Sequence, residues 1–172
     1  MSISQMLLPE FDQEMAKTRK TLERIPEHNL TYKPHAKSMP LDRLAGHIAE
    51  MPTWGTTTLT TDSMDMDPAT YQPLLATSRS QVLAAFDANV TALRGHIANT
   101  SDQAFLADWP MSVKGQHFMT MPRVGVIRSM VINHIIHHRA QLGVYLRLNN
   151  IEVPGMYGPS ADEPNMFASA QA

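Results

Sequence analysis

Hydrophobic residues recur at three- and four-residue steps in four long segments of the chain, which is the spacing of amphipathic helices. The segments run from about Ser4 to Arg24, from Pro40 to Thr58, from Ser78 to Asn99 and from Pro122 to Asn149. Four long helices with connections of mixed length are typical of a helical bundle. We therefore predict an all-α fold, a four-helix bundle that forms a single domain over residues 1–172.

The connections between these segments carry their own signals. Ser38 is a candidate N-cap of the second helix, and Pro52 predicts a kink or an irregular turn within it. Residues 105–121 alternate weakly and contain a Lys-Gly pair, which predicts a small hairpin or irregular crossover before the last long helix. Residues from about 150 to 172 include a stretch rich in Pro and Gly, VPGMYGPSADEP. This composition predicts an irregular tail that wraps the bundle or the mouth of a site.

Composition narrows the possible classes of protein. With 172 residues, 43% hydrophobic and 17% charged, the chain is long and apolar enough for one folded domain. A net charge of −2 argues against a nucleic-acid partner, because such proteins neutralise phosphates with an excess of basic residues. The N-terminus does not resemble a signal peptide and no long apolar run is present, so we expect no membrane association and a cytoplasmic location.

The chain has no cysteine and eight histidines. The first count excludes disulfides, thiolate metal ligands and a catalytic thiolate supplied by the protein. The second count directs attention to the run NHIIHHRAQLGVYLR in the last helix. At about 100° per residue, His134 and His138 fall in the middle of its apolar stripe and point to one spot from successive turns. The free-energy cost of burying two imidazoles there can be offset by one cation that both rings bind. It can also be offset by hydrogen bonds, and the two residues are then structural histidines of the core.

His47 is the natural third ligand, since it lies at the edge of the apolar stripe of the second helix and can face inward. Three imidazoles from two helices, with one coordination position left open, are the pattern of a catalytic metal site. A lone histidine at this position would more often be structural. His137 lies at the edge of the stripe and is a candidate alternate ligand, base or flanking residue.

The remaining polar residues give weaker signals. We expect the loop and helix-end histidines to be solvated, although the one in the crossover could reach the site; these are His28, His35, His96 and His117. Arg139 and Arg147 could guide an anionic substrate but are expected to be solvated or salt-bridged surface residues. Ile132 and Ile136 fall opposite the main stripe, so the last helix is either deeply enclosed or packs against a second copy in a homodimer.

At this point the sequence resembles the DinB family, metal-binding four-helix-bundle proteins that include thiol-dependent S-transferases. The resemblance is carried by four stretches that together span nearly the whole chain: Glu14 to Pro26, Tyr32 to Trp54, Asn133 to Arg147 and Ile151 to Glu163. It implies that His47, His134 and His138 hold a divalent metal, zinc or nickel, in an open coordination sphere. Ala140 departs from the glycine of the family pattern, which a helix tolerates.

What the resemblance implies for activity is a metal-dependent enzyme of small-molecule detoxification, a thiol-dependent S-transferase or a hydrolase. Its partners would be a small-molecule substrate and a low-molecular-weight thiol that binds the metal as a thiolate, or water bound as hydroxide. His137 and Glu50 are the candidate general bases. Two alternatives remain open: a non-catalytic, metal-stabilised bundle for stress response or interaction, and a metal-free bundle with structural histidines.

Overall fold

The computed structural model describes residues 1–164 of the chain. Its long helices are α1 (Ile3–Leu22), α2 (Leu41–Thr60), α3 (Arg79–Asn99) and a final helical segment from Arg123 to Leu148. α1 and α2 each contact both α3 and the final segment, which closes the four into a bundle. Their apolar faces meet in one large core, whose fully buried side chains include Phe11, Ile48, Phe86 and Ile135.

The four predicted helices are confirmed to within about two residues at either end. α1 begins with a capping box in which Ser2 and Gln5 satisfy each other's backbone N–H groups through their side chains. The predicted cap at Ser38 is wrong, because Pro40 is the residue that precedes α2 and no side chain caps it. The irregular turn that we offered as one alternative at Pro52 is wrong, because α2 continues through the buried Pro52 to Thr60.

Residues 105–121 contain more regular structure than we predicted. A short helix, α4 (Asp102–Leu106), leads into the strands β2 (Asp108–Val113) and β3 (Gln116–Pro122). These strands form the expected antiparallel hairpin around Lys114 and Gly115, both of which adopt a positive φ. The strand β1 (Met64–Met66) adds to the other edge of β2 in parallel. The protein is therefore mostly helical with a small three-stranded sheet, and the all-α label is only approximate.

The final helical segment changes its winding partway along. It consists of α5 (Arg123–Val126), a π-helical stretch (Ile127–Ile132) and α6 (Asn133–Leu148). In a π-helix the backbone bonds join residues five apart, so each residue turns the chain less than in an α-helix. This explains why Ile132 is fully buried although a uniform wheel places it opposite the core. Ile136 is half-buried and also packs against the core. At both residues, therefore, the last helix is enclosed by its own chain, which was the first of the two alternatives.

A buried ion pair joins α6 to α1. Arg139 is only 2% exposed, and its Nη2 donates to Glu14 Oε2 at 2.6 Å. Its Nη1 donates to the backbone carbonyl of Glu14 at 3.0 Å and to Thr18 Oγ1 at 3.2 Å. The expectation that Arg139 is a surface residue is thus wrong, because the buried carboxylate of Glu14 neutralises its charge. Glu14 lies 125 positions earlier in the chain, so local sequence patterns do not reveal the pair. Arg147 forms a surface pair with Asp162, as expected.

The described part of the C-terminal tail wraps α6 and α1, as predicted. Val153 packs against the core, and Tyr157 donates to Glu14 Oε2 at 2.8 Å. The Lys17 ammonium lies 4.0 Å from the centre of the Tyr157 ring. The predicted tail also includes residues 165–172, which lie outside the described residues. Within residues 1–164, no helix is long and apolar enough to cross a membrane.

The Glu14–Arg139 pair gives a test of fold stability. Glu14→Gln leaves a buried guanidinium without its counter-charge, so we expect a loss of about 3 kcal/mol in the free energy of unfolding, measured by urea denaturation. The matched control is Asp12→Asn, which disrupts an exposed pair with Arg94 between α1 and α3. Solvent screens that pair, so its loss should be much smaller. Equal losses in the two variants would contradict the role of the buried pair.

Candidate metal centre

The structure brings together three of the predicted site residues: His47 from α2 and His134 and His138 from α6. One ring nitrogen from each of them lies within 4.8 Å of the others. The ring centroids are 4.6 Å apart for His134 and His138, 4.7 Å for His47 and His138, and 5.3 Å for His47 and His134. We call this group the His cluster.

The His cluster lies where α2 and α6 contact each other, partly open to solvent. His138 is buried at 5% exposure, whereas His134 and His47 are half-buried. The four-residue step between His134 and His138 places their rings on successive turns of one helix face. His47 faces them across the contact between the two helices. A cation in the cluster would therefore contact protein on one side and remain accessible on the other.

Hydrogen bonds orient the imidazoles of His47 and His138 so that Nε2 is left free in both. His138 Nδ1 lies 2.7 Å from Gln141 Oε1, and His47 Nδ1 lies 3.2 Å from Glu50 Oε1. Both oxygens are acceptors, so a hydrogen bond to either one places the proton on Nδ1 and leaves Nε2 with a lone pair when the ring is neutral. His134 Nε2 faces His138 Nε2.

The ring nitrogens of the cluster are close enough to share one ion. The Nε2 atoms of His134 and His138 are 2.9 Å apart, a hydrogen-bond distance. Because Gln141 leaves His138 Nε2 with a lone pair, this nitrogen accepts either a proton from His134 Nε2 or a cation. Three imidazole nitrogens are ligands that divalent zinc, nickel and copper accept. The residues present therefore fit a divalent metal.

The electrostatic environment keeps two of the rings neutral. Burial lowers the pKa of His138 to about 4; the bond to Gln141 opposes this shift, and the neighbouring histidines add to it. Burial also lowers the pKa of His134, with a further contribution from His47. Metal ligation needs a neutral imidazole, so these rings are ready to bind a cation at neutral pH without losing a proton.

Glu50 accepts hydrogen bonds from four groups. Besides His47, its Oε1 accepts from Arg43 Nη2 at 2.7 Å and from the Tyr71 hydroxyl. Its Oε2 accepts from the backbone N–H of Leu74 at 2.9 Å. Burial raises the pKa of Glu50, but the hydrogen bonds outweigh burial and hold that pKa at about 2. The predicted base is thus a fully engaged carboxylate that is ionised at neutral pH.

His137, the other candidate base, lies beside the His cluster on the exposed surface. Its ring centroid is 4.8 Å from that of His138. Gln141 connects the two residues, since its amide nitrogen lies 3.0 Å from His137 Nε2 while its oxygen accepts from His138. His137 is therefore placed to exchange protons with solvent next to the cluster.

The other histidines lie outside the cluster. His28 and His35 are exposed in the first loop, and His96 is half-buried near the end of α3. His117 is exposed on β3 and pairs with Thr120 Oγ1 at 2.9 Å, so the structure does not bring it to the site.

Several residues of the site were not singled out from the sequence. Arg43 and Gln141 are detectable in principle, because they lie four and three residues from His47 and His138 on the same helix faces. Tyr71 and Leu74 come from the irregular connection between β1 and α3, which gives no periodic signal. That connection approaches α2 so closely that a Cβ at Gly46 would lie 1.9 Å from the Leu74 carbonyl oxygen.

Comparison with known proteins identifies related sequences and folds. The model of the DinB family matches residues 1–170. No curated protein matches the chain. Solved structures with the same fold include a DinB-like protein from Bacillus cereus, 21% identical, with a TM-score of 0.67 and coverage of 87% of this chain and 95% of that one.

Two further solved structures come from Bacillus subtilis. The DinB-like protein YjoA is 16% identical, with a TM-score of 0.66 and coverage of 88% of this chain and 96% of its own. YfiT is 13% identical, with a TM-score of 0.64 and coverage of 87% and 89%. YfiT is described as a probable metal-dependent hydrolase with an unusual four-helix bundle topology. At these identities the likeness is one of fold.

The low pKa of His138 predicts how the stability of the metal-free protein depends on pH. An unfolded histidine takes up a proton near pH 6.5, whereas folded His138 does so only near pH 4. The unfolded state therefore binds more protons in this window, and the free energy of unfolding should fall as the pH drops from about 6.5 to 4. Urea denaturation in the presence of a chelator measures this slope.

The control for this experiment is a pair of substitutions. His138→Gln should reduce the slope because it removes one of the two buried rings with a lowered pKa, whereas His28→Gln in the exposed loop should leave the slope unchanged. The same slope in wild type and His138→Gln would contradict the assignment.

Proposed function

Because the chain belongs to the DinB family, we propose that it is a divalent-metal-dependent enzyme that acts on small molecules, with His47, His134 and His138 as the metal ligands. The observation that supports this most directly is the convergence of three imidazoles, one ring nitrogen of each lying within 4.8 Å of the others. Zinc or nickel is the metal we propose, since both accept three imidazoles and leave a position open.

The proposed reaction is the transfer of a thiol to an electrophilic substrate, or the hydrolysis of such a substrate. When bound, the cation would supply Lewis acidity that lowers the pKa of a thiol or a water molecule and makes it a nucleophile near neutral pH. For a transferase the sulfur must arrive on a low-molecular-weight cosubstrate, since the chain has no cysteine. The description of YfiT as a probable metal-dependent hydrolase supports the hydrolytic form.

The chain's own residues have distinct parts in this proposal. Glu50 and Gln141 hold the rings of His47 and His138 in place by accepting from their Nδ1 atoms. His137 is the proton acceptor we propose, because it is exposed, adjacent to His138 and not itself a member of the cluster. A base at this distance would deprotonate the nucleophile directly or through one water molecule.

Two apolar side chains follow or precede the histidines of the cluster along the same helices. Trp54 lies seven residues after His47, on the same face of α2, and Met130 lies four residues before His134. Both are half-buried and pack against a second, smaller core around Trp109. We propose that the substrate carries an apolar group that contacts these two side chains.

The assembly and location of the protein also belong to the proposal. Val144 and Leu148 are exposed by more than half on α6, and they support a homodimer formed through this helix. A monomer measured by light scattering at micromolar concentration would count against it. We further propose a cytoplasmic protein without nucleic-acid or membrane partners, in keeping with its net charge of −2. A strong affinity for DNA or for lipid vesicles would contradict this.

Metal uptake tests the proposed ligands. We expect wild-type protein purified without chelator to hold about one zinc or nickel ion per chain, and His138→Ala to lose stoichiometric binding, as measured by elemental analysis. His28→Ala, in an exposed loop, is the matched control and should retain the metal. A His138→Ala protein that still binds one metal per chain would remove the three-histidine assignment.

Turnover separates an enzyme from a metal-stabilised bundle. We expect the metal-loaded protein to accelerate the reaction of a low-molecular-weight thiol with an electrophilic dye such as monochlorobimane, or the hydrolysis of an activated ester or amide. His137→Ala should lower the rate by about 100-fold or more, in the range of general-base catalysis, while the metal content stays unchanged. A metal-loaded protein that accelerates none of these reactions would favour the non-catalytic alternative.

A further inference from the structure

Glu50 lies at the centre of a hydrogen-bond network that joins the His cluster to the connection between β1 and α3. It is on α2, one turn after His47, and its carboxylate is mostly enclosed, with 13% of the side chain exposed. Three side chains and one backbone N–H donate to its two oxygens, and they come from α2 itself and from residues 71–74. Few orientations of this carboxylate satisfy all four donors at once.

We propose that Glu50 is a positioning residue that sets the tautomer of His47. Its Oε1 lies 3.2 Å from His47 Nδ1 and accepts the proton of that nitrogen, which leaves Nε2 unprotonated and directed at the His cluster. Arg43 Nη2 lies farther from Nδ1, at 3.4 Å, and its shorter bond is to Glu50 Oε1, at 2.7 Å. A free neutral histidine favours the opposite tautomer, with the proton on Nε2, which cannot ligate a metal through that atom. The hydrogen bond from Nδ1 therefore decides whether His47 can act as a ligand.

The charge of Glu50 distinguishes His47 from the other two rings. His138 donates to a neutral amide, Gln141, and His134 Nε2 faces the imidazole of His138. A carboxylate partner makes an imidazole a stronger ligand than a neutral acceptor does, because it stabilises the positive charge that the ring gains on coordination. Glu50 thereby makes His47 Nε2 the strongest metal-ligating nitrogen of the cluster.

The same hydrogen-bond network joins the connection between β1 and α3 to the site. The Leu74 N–H donates to Glu50 Oε2, and the Ala76 N–H donates to the backbone carbonyl of Asp42 at 3.3 Å. The absence of a side chain at Gly46 allows Leu74 to approach α2 next to His47. Residues 71–76 thus hold Glu50 in the orientation that His47 requires, although none of them belongs to the cluster.

The inference rests on the proposed metal site but has a readout that needs no metal. In metal-free protein near pH 8, nitrogen NMR of the histidine rings should show His47 with its proton on Nδ1. In Glu50→Ala we expect the proton to move to Nε2, and the zinc affinity, measured by competition with a chelating dye, to fall about 10- to 100-fold. Glu50→Gln, which keeps an acceptor without the charge, should retain the tautomer and lose less affinity.

The matched control is Asp162→Ala, which removes a carboxylate that accepts from Arg147 and from the Val153 N–H, away from the His cluster. It should lower stability without changing the His47 tautomer, so general destabilisation is separated from positioning. If His47 keeps its proton on Nδ1 in Glu50→Ala and zinc affinity equals that of wild type, the inference is overturned. If wild type takes up no metal at all, the proposed function fails, while the tautomer measurement still decides whether Glu50 positions His47.

Discussion

The rotation of α6 about its own axis is the constraint on which the site depends. His138 and Arg139 are neighbours in sequence and point about 100° apart around the helix. Arg139 is fixed by the buried carboxylate of Glu14, so the direction in which His138 points is fixed as well. Leu142 and Ile135, both fully buried, pack α6 into the core between these two directions. A charged pair that α6 shares with α1 thus orients a ligand pair that it presents to α2.

The His cluster illustrates how a protein can keep histidines ready for a cation. Burying three polar rings without hydrogen-bond partners costs free energy, and protonating the rings would make them repel one another. Bonding the Nδ1 atoms of His47 and His138 to fixed acceptors resolves the orientation of these two rings and directs their Nε2 lone pairs to one point. The cluster therefore offers a cation nitrogen lone pairs that are already in place.

The hydrophobic pattern of the sequence predicted those features that depend only on residues close together in the chain. The convergence of His134 and His138 followed from their four-residue step on an apolar face, and the hairpin followed from a Lys-Gly turn. The strand β1 could not be predicted, because three residues carry no period and their pairing with β2 is distant in sequence. Arg139 was misjudged for the same reason, since the interaction with Glu14 that permits its burial is visible only in three dimensions. The roles of Glu50 and Tyr71 likewise depend on a connection without regular structure.

The π-helical stretch before α6 has a consequence for how sequences of this kind can change length. Because it holds residues at a lower rotation per position than an α-helix, loss of one residue there would let the whole final segment wind as a continuous α-helix. That deletion would turn the sheet and α5 by about 100° relative to the two histidines that follow. A homologue without that residue would then have its sheet on a different side of His134 and His138. One residue gained or lost in this stretch would therefore reorient the sheet, while the two histidines keep their four-residue spacing.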